Sequence, residues 1–200
     1  MIQTIKGPTV NSFDELVFKT RSYRRFDESH RLSDEILREL AGLARLSASA
    51  ANRQPLRFLL YSSREDCERI FPSTAWAGYL KDWDGPVPGE RPSGYIIILG
   101  DTDITGNFMV DHGIAAQSIM LGATARGLGG CMIASIKRDD LRKELGIPDR
   151  YEILLVLALG KPVENIIIED VKDDDIRYWR DSAGNHYVPK RRLDDLILKL

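Results

Sequence analysis

Apolar residues along this chain fall into short blocks whose spacing separates helices from strands. Ser12-Phe13-Asp14-Glu15 has the form of a capping box, and Phe13, Leu16 and Val17 follow at helical spacing. Arg21-Ser22-Tyr23-Arg24-Arg25-Phe26 breaks that rhythm and is expected to be extended or turned. Ser33 then stands as an N-cap before Ile36, Leu37, Leu40, Leu43 and Ala44, which share one helix face. Arg57 to Ser62 reads as a strand. Tyr95 to Leu99 is a continuous apolar run between Gly94 and Gly100, as in a strand buried on both faces. Phe108 to Arg126 predicts a long helix rich in alanine and glycine, suited to the centre of a fold or of a dimer. Leu128-Gly129-Gly130 ends it, and Cys131 to Ile136 is the next strand. Asp139 or Asp140 caps a short helix that stops at Gly146, with Pro148 just beyond, and Tyr151 to Leu159 is a further buried strand.

Three stretches do not fit a regular element. Ser47 to Pro55 is small and polar, hence a loop. Residues 72–92 carry Pro72, Pro86, Pro88 and Pro92 among three glycines and two tryptophans, which predicts a long irregular excursion; loops of that length in a compact domain are often covers for a site. The charged tail from Asp170 holds Tyr178, Trp179 and Tyr187 and closes on Leu193, Leu196, Ile197 and Leu200, so it is expected to pack on something. Two hundred residues at 43% hydrophobic content suit one domain over residues 1–200.

Charge narrows the possibilities little. A net charge of −2 gives no bulk attraction to nucleic acid or to an anionic membrane. The opening residues lack the apolar stretch of a secretory signal, and no run approaches the roughly 20 apolar residues that span a bilayer. Cys67 and Cys131 lie far apart and suggest neither a disulfide framework nor a metal site, so a reducing cytoplasm is expected. His30, His112 and His186 are scattered, so no metal is expected and each reads as a surface or packing histidine. Cys131 reads as a small buried hydrophobe.

Chemistry can sit in three places. In Arg21 to Phe26, guanidinium groups can pair with phosphate and Ser22 adds a neutral donor, although a solvated basic turn has the same composition. In Ser47 to Pro55, small side chains admit a flat ligand while Asn52 and Gln54 offer donors and acceptors; an ordinary connecting loop looks alike. Pro189-Lys190-Arg191-Arg192-Leu193 is a basic knot or simply a charged surface run. Trp76, Tyr79 and Trp83 could stack on a planar substrate or fasten the excursion to the body. Gly-Leu-Gly-Gly follows a helix and precedes a strand, the reverse of a dinucleotide-binding fingerprint.

Taken in order, R-S-x-R-R-F, S-x-S-x-x-N-x-Q-P-x-R-F, the apolar helix leading to G-L-G-G, then L-x-L-G-K-P and a terminal Lys-x-Arg resemble the nitroreductase family over nearly the whole chain. The resemblance implies an α+β, three-layer fold with a central mixed, mainly antiparallel sheet flanked by helices, and a homodimer with two FMN sites at its interface. It implies FMN as bound cofactor and NAD(P)H as reductant, with electrons passed by a ping-pong mechanism to a small electron-poor acceptor such as a nitroaromatic or quinone. The chemistry is then carried on the flavin and no catalytic side chain is expected.

Residue by residue, the resemblance gives Arg21, Ser22 and Arg24 to the phosphate and the pyrimidine edge, with Tyr23 contributing backbone. Thr20 stands where the family often has arginine, which shifts neutralisation of the phosphate, about two negative charges at neutral pH, toward Lys190 and Arg192. Arg24 is the candidate cation beside flavin N1 and the C2 carbonyl. Ala48, Ser49, Ala50, Asn52 and Gln54 match a loop that reaches the flavin from the partner subunit, with Ala48 and Leu56 replacing the usual proline and tryptophan. Met132, Ile133, Ala134 and Ser135 would lie beside the flavin, a backbone N–H near Ala134 or Ser135 facing N5. A dehalogenase-like or ene-reductase-like relative, a non-catalytic flavin-binding protein and a basic nucleotide-binding module are the alternatives. They differ in products, in bleaching by NAD(P)H and in flavin preference.

Overall fold

The computed structural model describes residues 12–199. Leu200, the last residue of the apolar tail pattern, and most of the N-terminal stretch read for a secretory signal lie outside the described residues.

Six α-helices and eight strands follow along the described chain: α1 (Phe13–Lys19), β1 (Phe26–Asp27), α2 (Asp34–Arg45), β2 (Leu56–Tyr61), α3 (Arg64–Ile70), β3 (Gly94–Asp101), α4 (Asp111–Thr124), β4 (Gly129–Ile133), α5 (Arg138–Leu145), β5 (Tyr151–Pro162), β6 (Ile166–Asp170), β7 (Trp179–Arg180), β8 (His186–Lys190) and α6 (Leu193–Leu196). Ser12 and Ser33 cap α1 and α2 as their spacing predicts, accepting from the N–H groups of Glu15 and Ile36 at 3.2 and 3.3 Å.

The main sheet runs β1-β5-β3-β2, with β4 also paired to the long β5. All its ladders are antiparallel; the parallel contributions are the Ser22–Gly130 bridge and, in a separate three-stranded sheet, the β6–β8 pair. Alternation along β3 fixes the layers. Ile96 and Ile98 face Leu37, Leu40, Ile119 and Met120 of α2 and α4, while Tyr95, Ile97 and Leu99 face Cys67 and Ile70 of α3 and Leu141 of α5. Helices therefore cover both faces of one sheet, the expected α+β three-layer arrangement. Each large apolar side chain sealed there contributes about 1.5–3 kcal/mol.

Several boundaries differ from the sequence reading. The long helix begins at Asp111 rather than Phe108, because Phe108 plugs the sheet: a Cβ on Gly100 would lie 2.4 Å from its ring. Met109 then turns at φ +47°, its N–H held by the Asn107 side chain at 3.0 Å. Gly129 and Gly130 belong to β4 rather than ending α4, and β4 stops at Ile133 instead of Ile136. Asp139 and Asp140 lie inside the first turn of α5, whose N-cap is Lys137. The tail does pack, partly: β6, β8 and β7 form their own sheet, with Trp179 stacked on Tyr187 at 4.1 Å. Leu193, Leu196, Ile197 and Leu198 beyond it remain exposed on this chain. Among the described residues no helix is long and apolar enough to cross a membrane.

Candidate functional site

The segment Arg21–Arg24 runs along the end of β4 where that strand has no side chains. A Cβ on Gly129 would come within 2.6 Å of the Tyr23 ring and of Pro162, and one on Gly130 within 2.5 Å of the Ala158 carbonyl. With both absent, Tyr23 seats on the strand, donates its N–H to the Gly130 carbonyl at 2.9 Å, and leaves Ser22 bridged to Gly130. Tyr23 anchors the segment, and its hydroxyl donates to the Lys19 carbonyl at 3.0 Å. Thr20, buried, ties the end of α1 to Thr124 of α4 by a 3.0 Å hydroxyl contact.

The arginines of the segment divide into two kinds. Arg25 makes a bidentate pair with Glu90 from the end of the 72–92 excursion, which raises its pKa and lowers that of Glu90. Its charge is spent on structure. Arg21 donates to the Val17 carbonyl at 2.5 Å, and its Nε is buried with no hydrogen-bond partner among the described residues. Arg24 donates to the Ser22 carbonyl at 3.2 Å. Neither has a carboxylate within ion-pair distance among the described residues.

Arg21, Ser22 and Arg24 line one cavity of about 420 Å³ together with Lys190 from the end of β8, and Gln117, Met120 and Met132 form part of its wall. Basic side chains from the two ends of the chain thus share one concavity, of the size that holds a cofactor. A second cavity of about 210 Å³ adjoins it through Arg24, Met132 and Tyr178, and is lined by Ile133, Ala134 and Ser135 as well. Ala134 and Ser135 are exposed at the open end of β4. Cys131 also borders this second cavity but is buried, and burial raises its thiol pKa; it remains a small apolar residue.

The far wall of the second cavity is the excursion, through Ala75, Trp76, Ala77 and Gly78. Its aromatics divide their roles. Trp76 is buried, stacks on Phe71 at 5.9 Å and donates its indole N–H to Thr74 at 3.1 Å, so it fastens the loop. Tyr79 is exposed and lies 4.9 Å from Tyr178. Trp83 is half-buried, with the Arg180 guanidinium 4.2 Å above its ring.

The structure does not bring every predicted residue to these cavities. Ala48, Ser49 and Gln54 line a separate cavity of about 220 Å³, Ala50 borders another, and Asn52 is exposed. The loop is nevertheless firmly shaped. Ser49 donates to Asp111 at 2.6 Å and accepts from the Gln54 N–H at 2.9 Å, and the Ala50 N–H donates to Asp111 at 2.9 Å. Ala51, Asn52 and Gln54 all sit near φ +51°, a conformation that costs non-glycine residues about 1 kcal/mol or more each. Arg192 is exposed at the N-cap of α6 and does not line the cavity that Lys190 lines, because the chain turns away at the end of β8.

Sequence reasoning missed Glu164, Tyr178 and His186. Tyr178 borders both cavities with its ring 4.7 Å from the Arg24 guanidinium. His186, read as a surface or packing histidine, is wholly buried beside them, with its Nε2 3.4 Å from Arg24 Nη1. Burial first, then the charges of Arg24 and Arg180, push its pKa down to about 4. Glu164 lies two residues past the L-x-L-G-K-P run, and its side chain is fully enclosed. A carboxylate two residues past the end of a buried strand was the available signal. Among the described residues no group of three or more His, Cys, Asp or Glu side chains converges on a point.

In this three-layer fold the basic segment and the tail share one cationic cavity of about 420 Å³, which adjoins a second cavity along the end of β4. The sequence profile of the Nitroreductase family matches residues 17–161, and the chain belongs to that family of oxidoreductases. A relative from Methanothermobacter thermautotrophicus, provisionally named NADH dehydrogenase/NAD(P)H nitroreductase, is 28% identical over 174 residues, covering 83% of this chain and 86% of its own. Among solved structures, a provisionally named nitroreductase in complex with FMN from Exiguobacterium sibiricum superposes with a TM-score of 0.64 at 23% identity, over 79% of this chain and 91% of that one. An enone reductase of gut-bacterial fatty acid saturation, CLA-ER, superposes with a TM-score of 0.66 at 16% identity, over 82% and 94%.

Proposed function

We propose that this chain binds FMN without a covalent bond, takes electrons from NAD(P)H and delivers them by a ping-pong mechanism to a small electron-poor organic acceptor, a nitroaromatic or quinone among them. One observation carries the reading: Arg21, Ser22, Arg24 and Lys190 line a single cavity that continues past Met132 to the exposed end of β4. The residues fit the group. Arg21 and Lys190 supply two positive charges for a phosphate, and the buried Nε of Arg21 is a donor still to be satisfied. Ser22 adds a hydroxyl at the same end. Met132, Ile133, Ala134 and Ser135 border the slot where a planar ring system fits, and Arg24 stands between ring end and phosphate end.

When bound there, FMN supplies the two-electron redox chemistry that no side chain of this protein offers. The protein's part is to bind, orient and shield. Arg24 keeps a cation at the junction of the two cavities, where it favours negative charge accumulating on a ligand. Trp76 and Ala75 to Gly78 wall the slot on one side.

The reading includes a homodimer. Leu46, Met109, Val110 and Ile114 are exposed near the strained loop, and the apolar tail end is uncovered on this chain, which supports burial against a second copy. In that arrangement Ala48, Ser49, Ala50, Asn52 and Gln54 approach the partner's cofactor. Both cysteines are free and buried, in keeping with a reducing, cytoplasmic setting.

An anaerobic titration of purified protein with NADH and then NADPH, following the flavin absorption band, tests cofactor and reductant together. Bleaching by one or both, reversed by added quinone or nitroaromatic, is the expected result. Protein that is colourless and takes up no added FMN would end the proposal. A yellow protein that NAD(P)H does not bleach would leave a flavin carrier in place of an enzyme.

A further inference from the structure

The tail half of the chain places three side chains around Arg24, and none of them neutralises it. Glu164 reaches the backbone of Arg24, and its side chain is wholly enclosed. Its Oε2 accepts the main-chain N–H of Arg24 at 2.7 Å, while Oε1 pairs with Arg180. The carboxylate thus fixes the backbone of Arg24 and leaves the guanidinium alone. That guanidinium is met instead by neutral groups: the Ser22 carbonyl, the Tyr178 ring at 4.7 Å and His186 Nε2 at 3.4 Å.

An arginine only donates hydrogen bonds, so the His186 contact requires a bare Nε2 and hence a neutral imidazole. Burial and the two neighbouring arginines hold it in that state. Tyr178 is in turn stacked on His186 at 5.4 Å. Enclosing the Glu164–Arg180 pair carries a desolvation cost that their mutual contact has to offset. A set so arranged that one cation stays uncompensated at the cavity is poorly explained by stability alone.

We propose that Glu164, Tyr178 and His186 are positioning residues, which lock Arg24 as an unneutralised cation against the bound cofactor and thereby favour its reduced, more negative form. The assignment rests on the FMN reading above. It makes the 164–186 region of the tail a determinant of reduction potential as well as a wall.

The test measures FMN affinity and midpoint potential for Tyr178→Leu, Glu164→Gln and Arg24→Gln, alone and combined. Tyr178→Leu is expected to weaken binding of reduced FMN relative to oxidised FMN about tenfold, which moves a two-electron potential about 30 mV negative. Tyr178→Phe keeps the ring and should behave as wild type. Because the three act through Arg24, adding Tyr178→Leu to Arg24→Gln should change the potential no further, whereas independent effects would add. An unchanged potential in Tyr178→Leu, or full additivity with Arg24→Gln, overturns the proposal. A second measurement needs no cofactor. In the apoprotein, the His186 imidazole should titrate near pH 4 by NMR and move upward in Arg24→Gln. A His186 that ignores Arg24 refutes the contact even where FMN binds; wild-type protein that binds no FMN sinks the parent reading together with this one.

Discussion

The segment Arg21–Arg24 and the loop 47–54 are expected to touch the same cofactor, yet they are built differently. The first is finished by its own chain: β4 seats it, Glu164 grips it from the tail side, Glu90 pairs with the neighbouring Arg25, and Lys190 joins it across one cavity. The second is shaped just as firmly, by Asp111 and by three left-handed residues, but it faces a cavity with no part of the basic site. Strain kept without a local beneficiary points outward. In the proposed dimer, where this loop would complete the partner's site, cofactor affinity would depend on association.

The comparison can be broken in several places. The largest expected effect is on the first region and comes from acid. His186 titrates near 4 in the folded protein and near 6.5 in an unfolded chain, so between those values only the unfolded state takes up the proton. Stability therefore falls as pH drops from about 6.5 to about 4, by about 3 kcal/mol from this group. Urea unfolding at pH 7 and pH 4.5 should show a loss in wild type that is smaller in His186→Leu; equal losses would contradict the burial of a neutral imidazole.

Next comes Arg21→Ala, which removes a charge-assisted donor worth about 2–3 kcal/mol and should weaken FMN binding roughly a hundredfold. The melting temperature of the apoprotein should hardly move, since no ion pair is lost among the described residues. Asp111→Ala attacks the second region: the Ser49 hydroxyl and the Ala50 N–H lose their acceptor, at a cost of about 2 kcal/mol in chemical denaturation. A neutral outcome there would mean that the loop is not held as described. Smallest is Val110→Asp on the exposed face near that loop. Sedimentation should report a monomer, with FMN affinity reduced about tenfold while the fold survives. A dimer that persists with unaltered affinity would separate the loop from the partner's site.

Much of this was legible in the sequence because the relevant signals are local. Ser12 and Ser33 sit where a cap must sit, the YIIIL run is a strand buried on both faces, and Gly146 closes α5 at φ +63°. The basic segment and Lys190 could be named from residue type and order. What stayed hidden depends on tertiary contact. Nothing local tells that Gly129 and Gly130 are empty so that Tyr23 can approach, or that Phe108 leaves the helix to fill the space above Gly100. His186 reads as one histidine among three until the β8 register buries it beside Arg24. The terminal Lys-x-Arg of the resemblance puts Arg192 with Lys190, and the turn into α6 separates them.

The hydrogen bond from Tyr23 to Gly130 and the shared cavity of Arg21 with Lys190 join stretches separated by most of the polypeptide's length. Such pairings form late and pay a large loop-closure entropy. An anion seated between them behaves as a removable staple across the two termini. Loading should therefore slow proteolytic trimming at the C-terminal end and raise the melting temperature with the logarithm of ligand concentration, whereas distant α3 and α5 gain little local protection.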